Sequence, residues 1–235
     1  MPVDLNECTG IFSLTGMKLS ADYILELKIF STFAKAFFTK KISSTYFLIN
    51  CMTTYITILR GINVGGHKSI KMEALRQMFT RLGFLNVQTY IQSGNVIFQN
   101  PEITDTQLLE NKIKNKISEN FGFEISVLVL TLNDLENVVE NNPFLSDNTK
   151  DPAYLHITFF SSLPEKAFVD KINAENYNAD EFVCSRKNIY LYCPNGYGKT
   201  KLTNTFLETK LKVAATTRNW KTVNELVVLA EKLSE

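Results

Sequence analysis

From Met52 onward the chain alternates strand-forming and helix-forming segments, and this alternation constrains the fold more than any other feature. Tyr55-Ile56-Thr57-Ile58-Leu59 is rich in β-branched and aromatic residues and reads as a strand. A glycine-rich loop follows, Gly61-Ile62-Asn63-Val64-Gly65-Gly66. Met72, Leu75, Phe79 and Leu82 then recur at helical spacing, and Gly83 can end that helix in a left-handed conformation. Val87–Ile91 and Val96–Gln99 predict a hairpin about Ser93-Gly94. Leu109, Ile113, Ile117 and Phe121 mark a second helix stopped by Gly122, and Ile125–Val129 is the closing strand. The order β-α-β-β-α-β is the split βαβ, or ferredoxin-like, arrangement.

The remainder repeats much of that layout. A connecting helix is expected over Asp134–Glu140 with Asn133 as N-cap, interrupted by Asn141-Asn142-Pro143. Tyr154–Phe160 reads as a strand, Pro164 as a helix start, and Glu181–Cys184 with Asn188–Cys193 as a hairpin. A two-residue turn at Arg186-Lys187 would pair Cys184 with Ile189. A second glycine-rich loop, Pro194–Gly198, leads into a helix expected over Lys199–Leu211, and a final helix starts near Trp220. The halves share a β-α-β-β-α beginning and differ at the end. The expected fold is α+β: two ferredoxin-like lobes with antiparallel sheets, at 52–131 and 153–235, joined by 132–152 and finished by a C-terminal helix.

Composition narrows the function classes. The 235 residues carry 25 Lys+Arg and 24 Asp+Glu, a formal net charge of +1, which argues against an overall electrostatic hold on nucleic acid or membranes. A hydrophobic fraction of 45% suits a globular protein. Residues 1–51 stand apart: they hold 6 of the 17 Phe and show no clean secretory signal or membrane span. Asp22–Phe38 has helical spacing, but the strand pattern begins directly after Met52. The favoured expectation is therefore that translation starts at Met52 and that 1–51 is not part of the fold. The cysteines Cys8, Cys51, Cys184 and Cys193 are expected to be reduced thiols in a cytoplasmic protein. With no Cys-x-x-Cys, and with His67 and His156 far apart, neither a metal nor a cofactor is expected.

Three segments carry candidate chemistry. Arg60, Gly61, Asn63, Gly65, Gly66 and Lys68 form a strand-loop-helix connection whose backbone N–H groups and flanking cations suit an anion. The plain alternative is a long connection whose glycines solve a turning problem, and the spacing is not G-x-G-x-x-G. The second segment, with Gly196, Gly198 and Lys199, ends like a Walker A loop, but Cys193 stands where that motif needs glycine. This weighs against a P-loop triphosphatase and leaves a simpler phosphate or carboxylate contact, or a tight turn before a helix start. In the third, Arg218 could pin an anion, Asn219 or Thr217 could cap the last helix, and Thr222–Glu225 fits a capping box. Trp220 offers a stacking face or, more plainly, a core anchor. Ser93 and Asn95 belong to the hairpin turn; no base accompanies Ser93, so no catalytic residue is assigned.

Taken together, Arg60–Gly66, Thr89–Phe98, Pro194–Leu202 and Thr216–Trp220 resemble the signature blocks of the bacterial domain-of-unknown-function family 1697, with Thr200 where a serine is common. The resemblance runs from about Met52 to the C-terminus. It implies a small cytosolic α+β protein of two ferredoxin-like lobes and implies no established activity.

The leading expectation is a protein that binds a small anionic or phosphorylated ligand between its lobes, through Arg60, Lys68, Lys199 and Arg218. An RNA or single-stranded nucleic-acid module is the alternative, with Tyr55, Tyr90 and Phe98 as stacking candidates, although near-neutral charge weighs against it. A structural or interaction protein, whose loops merely join elements, is the third. No membrane partner is expected, and nothing in the sequence sets the oligomeric state.

Overall fold

The computed structural model describes residues 52–102, 104–173 and 175–235. The expectations for residues 1–51, including the helix at Asp22–Phe38, lie outside the described residues. Two four-stranded antiparallel sheets organise the rest. The first contains β1 (Thr53–Leu59), β2 (Leu85–Tyr90), β3 (Asn95–Asn100) and β4 (Val127–Thr131) in the order β2-β3-β1-β4. The second contains β5 (Leu155–Phe160), β6 (Glu181–Ser185), β7 (Asn188–Tyr192) and β8 (Ala215–Asn219) in the order β6-β7-β5-β8. The two orders are equivalent, so both halves complete the ferredoxin-like pattern. The expectation that the halves differ at their ends is corrected: β8 is the missing strand.

Burial explains which strands are central. All six residues after Thr53 in β1 are buried, because that strand has helices on one face and a second core on the other. The first helices are α1 (Met72–Arg81) and α2 (Thr106–Phe121). They bury Leu75, Met78 and Phe79, and Leu109, Ile113 and Ile117, against Tyr55, Leu59 and Phe98. Asp105 caps α2 by accepting from the Gln107 and Leu108 N–H groups, and Gly122 ends it at φ 77°. The connecting helix α3 (Leu132–Glu140) starts earlier than expected. Its N-cap is Thr131, in a reciprocal capping box with Asp134, not Asn133.

In the second lobe, α4 (Lys166–Asn173) and α5 (Asn204–Leu211) cover the face carrying Phe160, Ile189 and Leu191. The helix expected from Lys199 begins only at Asn204. Tyr197–Lys199 forms a separate 3₁₀ turn, and the Thr203 hydroxyl caps α5 by accepting from the Phe206 N–H. The predicted pairing of Cys184 with Ile189 is present, and Cys184 and Cys193 are both free thiols.

The final helix α6 (Trp220–Ser234) decides how the halves combine. Its cap is Asn219, whose Oδ1 accepts from the Thr222 N–H at 2.8 Å; the expected Thr222–Glu225 box does not form it. Trp220, Val223, Leu226, Val227 and Ala230 enter a core shared by both sheets, with Ile56, Ile58, Ile97 and Leu128 from the first and Leu155, Ile157, Phe159 and Tyr190 from the second. The C-terminal end is tied to the first sheet, where Gln99 Nε2 donates to the Leu233 carbonyl at 2.7 Å. Among the described residues no helix is long and apolar enough to cross a membrane.

One buried carboxylate protects a sheet edge. Glu110 on α2 accepts at 3.0 Å from the N–H of Val129 on edge strand β4, and its second oxygen accepts from Gln107 Nε2 at 3.0 Å. Burial raises the Glu110 pKa above the ordinary carboxyl value. The folded protein thus holds that proton more tightly than the unfolded chain, and the resulting stability is lost as pH rises through the folded pKa. Glu110→Gln keeps an acceptor for Val129 without the buried charge. Thermal melts should give the variant the higher Tm near pH 7, and the gap should close as pH falls through the glutamate range. A lower Tm for the variant at neutral pH would show that the ionised carboxylate is the better partner.

Candidate functional site

The end of β1 and the long connection to α1 build the candidate site. Arg60 follows β1, with its N–H donating to the Ser126 carbonyl at 3.0 Å. The next segment is organised by Asn63, a non-glycine residue at φ 56°. Its Oδ1 accepts from the Ile70 N–H at 2.8 Å, and its Nδ2 donates to the Ile70 and Gln92 carbonyls at 3.0 and 2.9 Å. Its own N–H donates to the Lys68 carbonyl at 3.2 Å. Asn63 therefore closes the loop and fastens it to the β2–β3 turn; that is its task. Gly65 and Gly66 sit at the exposed tip with φ 59° and 77°, in a turn bridged between Val64 and His67.

Beside this loop lies an open cleft of about 500 Å³ lined by Arg60, Gly61, Lys68, Lys114, Glu124, Ile125 and Ser126. Three cations come from three segments: the end of β1, the loop, and α2. Lys68 Nζ donates to the Glu124 carbonyl at 2.7 Å, a neutral acceptor. Lys114 lies 3.6 Å from the Glu124 carboxylate, an exposed pair of small energetic weight. Arg60 pairs with Glu208 on α5, so one wall of the cleft reaches the second lobe. Burial lowers the Arg60 pKa, opposed by the nearby Tyr197 phenol.

The second glycine-rich loop does not present a nest to an anion. The Gly196 N–H donates to the Cys193 carbonyl at 2.8 Å, Lys199 N–H to Gly196 at 3.0 Å and Thr200 N–H to Tyr197 at 3.4 Å. Gly198 and Lys199 are exposed, and neither lines the cleft. This loop contacts the second sheet through Tyr197. Its O–H donates to Thr217 Oγ1 at 3.0 Å; Thr217 donates to Asn204 Oδ1 at 2.6 Å and lies 2.7 Å from Thr158 Oγ1. His156 stacks on the Tyr197 ring at 4.8 Å between centroids, and burial lowers its pKa. Burial raises the Tyr197 pKa.

Arg218 on β8 is occupied across the lobe junction. Its Nε donates to Asn95 Oδ1 at 2.6 Å, Nη2 to the Leu59 and Ser93 carbonyls at 2.8 and 2.9 Å, and Nη1 to the Thr217 carbonyl at 3.0 Å. Every acceptor is neutral, and burial pushes the guanidinium pKa down to about 10, so it stays charged at neutral pH. Asn95, fully buried, also donates to the Tyr90 carbonyl and to Ser93 Oγ, at 3.2 and 3.0 Å. Asn219 caps α6 and Trp220 is a core residue, 9% exposed.

Arg60, Gly61 and Lys68 thus meet in one cleft; Ser93, Asn95 and Arg218 meet in the lobe junction; Gly196, Gly198 and Lys199 do not line the cleft. Sequence reasoning missed Lys114 and Ser126. Lys112, Lys114 and Lys116 alternate along α2 like an ordinary solvated face, and only the β4 entry loop brings Lys114 to the cleft. Two of the three stacking candidates for nucleic acid are also corrected, while Tyr90 is partly buried against the shared core. Tyr55 and Phe98 are at most 1% exposed and stack on each other in the first core, with the Tyr55 O–H donating to the Thr104 carbonyl.

The conserved bacterial protein SP0830 from Streptococcus pneumoniae is similar in structure, with a TM-score of 0.63 and 27% sequence identity over 76% of this chain and 99% of that one. No curated protein matches the chain. The sequence profile described as "Protein of unknown function (DUF1697)" matches residues 52–190. That span covers β1 through the first part of β7, including the whole cleft, and the chain belongs to the DUF1697 family.

Proposed function

We propose that this protein binds a small oxyanion, a phosphate or carboxylate group, in the cleft beside the lobe junction in the cytoplasm. The carrying observation is that Arg60, Lys68 and Lys114 line one cleft, where Arg60 pairs with Glu208, Lys114 lies near Glu124, and Lys68 is held by a backbone carbonyl. That carbonyl is a neutral acceptor, which leaves the Lys68 ammonium open to an anionic ligand. The cleft volume suits a small metabolite. The free thiols Cys184 and Cys193 suit a reducing compartment.

Titration with inorganic phosphate, and separately with acetate, followed by NMR at the Gly61 and Lys68 amides, tests the reading. A Lys68→Ala, Lys114→Ala double variant should bind phosphate at least about tenfold more weakly, or about 1.4 kcal/mol. The loss should shrink as salt is raised. Unchanged affinity in that variant, or no response to millimolar phosphate, would overturn it.

A further inference from the structure

We infer that Arg218, a residue of the second lobe, is the positioning residue for the glycine-rich loop of the first. Two hydrogen-bonded routes leave its guanidinium. One runs to the Leu59 carbonyl at 2.8 Å, and the next residue is Arg60, the wall of the cleft. The other runs to Ser93 and Asn95, at 2.9 and 2.6 Å, which bracket Gly94 in the β2–β3 turn. That turn offers the Gln92 carbonyl to Asn63 Nδ2 at 2.9 Å, and Asn63 in turn closes the loop through Ile70 and Lys68. Both cationic ends of the loop, Arg60 and Lys68, are thereby referred to one side chain on β8.

The arrangement is more than a structural staple for three reasons. A guanidinium is the only side chain whose planar fork can satisfy Leu59, Ser93 and Asn95 together. Its charge has no carboxylate partner among these contacts, whereas Arg60 is paired with Glu208, so the guanidinium of Arg218 is not cancelled locally. Finally, the Ser93–Asn95 turn it grips includes Gly94, where any Cβ would lie 2.8 Å from Leu59 Cβ; the turn therefore cannot shift without moving β1. Contacts of this kind make loop geometry depend on lobe docking, and linkage makes the dependence reciprocal.

This inference uses the proposed cleft but is tested first without any ligand. Hydrogen exchange of wild type and Arg218→Lys should show the Ile70 and His67 amides exchanging about tenfold faster in the variant, relative to the Ile113 amide of the first core. Asn63→Ala, at the far end of the route, should reproduce the same local pattern. Uniform acceleration of all amides, or none, would reduce Arg218 to a structural role and overturn the inference. Inorganic phosphate then separates the two claims. If Lys68→Ala weakens phosphate binding and Arg218→Lys does not, the positioning role fails while the cleft stands. If neither matters but the loop amides still respond to Arg218→Lys, the cleft fails and the positioning role stands.

Discussion

Deletion of Trp220–Glu235 is expected to leave neither four-stranded sheet folded. α6 supplies Trp220, Val223, Leu226, Val227 and Ala230 to a core that also contains residues of both sheets. Burial of its large apolar side chains is worth on the order of 8 kcal/mol at about 2 kcal/mol each. That is comparable with the roughly 5–15 kcal/mol that separates a folded domain from its unfolded chain. Without the helix, Ile56, Ile58 and Ile97 would face water on one side, and Leu155, Ile157 and Phe159 on the other. Calorimetry and near-ultraviolet circular dichroism should show no cooperative transition. A milder variant keeps the claim testable in a folded protein: Leu226→Ala should cost about 2–5 kcal/mol and lower a single transition for the whole of 52–235. Two separate transitions, with only one displaced, would show that the lobes fold independently.

The way the helix joins the halves bears on what could be read from sequence. β1 and β3 were legible because strands buried on both faces read as continuous apolar runs, as in Tyr55–Leu59 and Val96–Phe98. The Cys184–Ile189 register followed from turn length alone. β8 was not legible, because Thr216-Thr217-Arg218-Asn219 satisfies its interior with hydrogen bonds instead of apolar surface. Thr217 serves Tyr197 and Asn204 on one face while Arg218 serves Leu59, Ser93 and Asn95 on the other. The same fork that reads an external oxyanion reads carbonyls of its own chain, so residue type alone could not divide the two uses. Arg60 and Lys68 were legible because they flank glycines after a strand. Lys114 and Glu208 reach the site only through helix packing, which no local pattern in the sequence records.

Gly94→Ala should be the most damaging single methyl group in the β2–β3 turn. Gly94 adopts φ +80°, where a side chain costs about 1–2 kcal/mol. A Cβ would also lie 2.8 Å from both Leu59 Cβ and Ile62 Cδ1. The isoleucine end could rotate, but Leu59 Cβ is fixed to a central strand whose N–H donates to the Gly94 carbonyl at 2.8 Å. Relief requires the turn to move, and such overpacking adds about 1–3 kcal/mol. Movement would also draw Ser93 and Asn95 away from Arg218, so the loss reaches the lobe junction. A total of roughly 2–5 kcal/mol follows from these two contributions. Gly65→Ala is the control: it has φ +59° with nothing within 4 Å of the added carbon, so only the backbone cost of about 1–2 kcal/mol applies. Urea denaturation of the two variants measures the difference, and equal losses would mean that the close approach of the turn to β1 contributes nothing to stability.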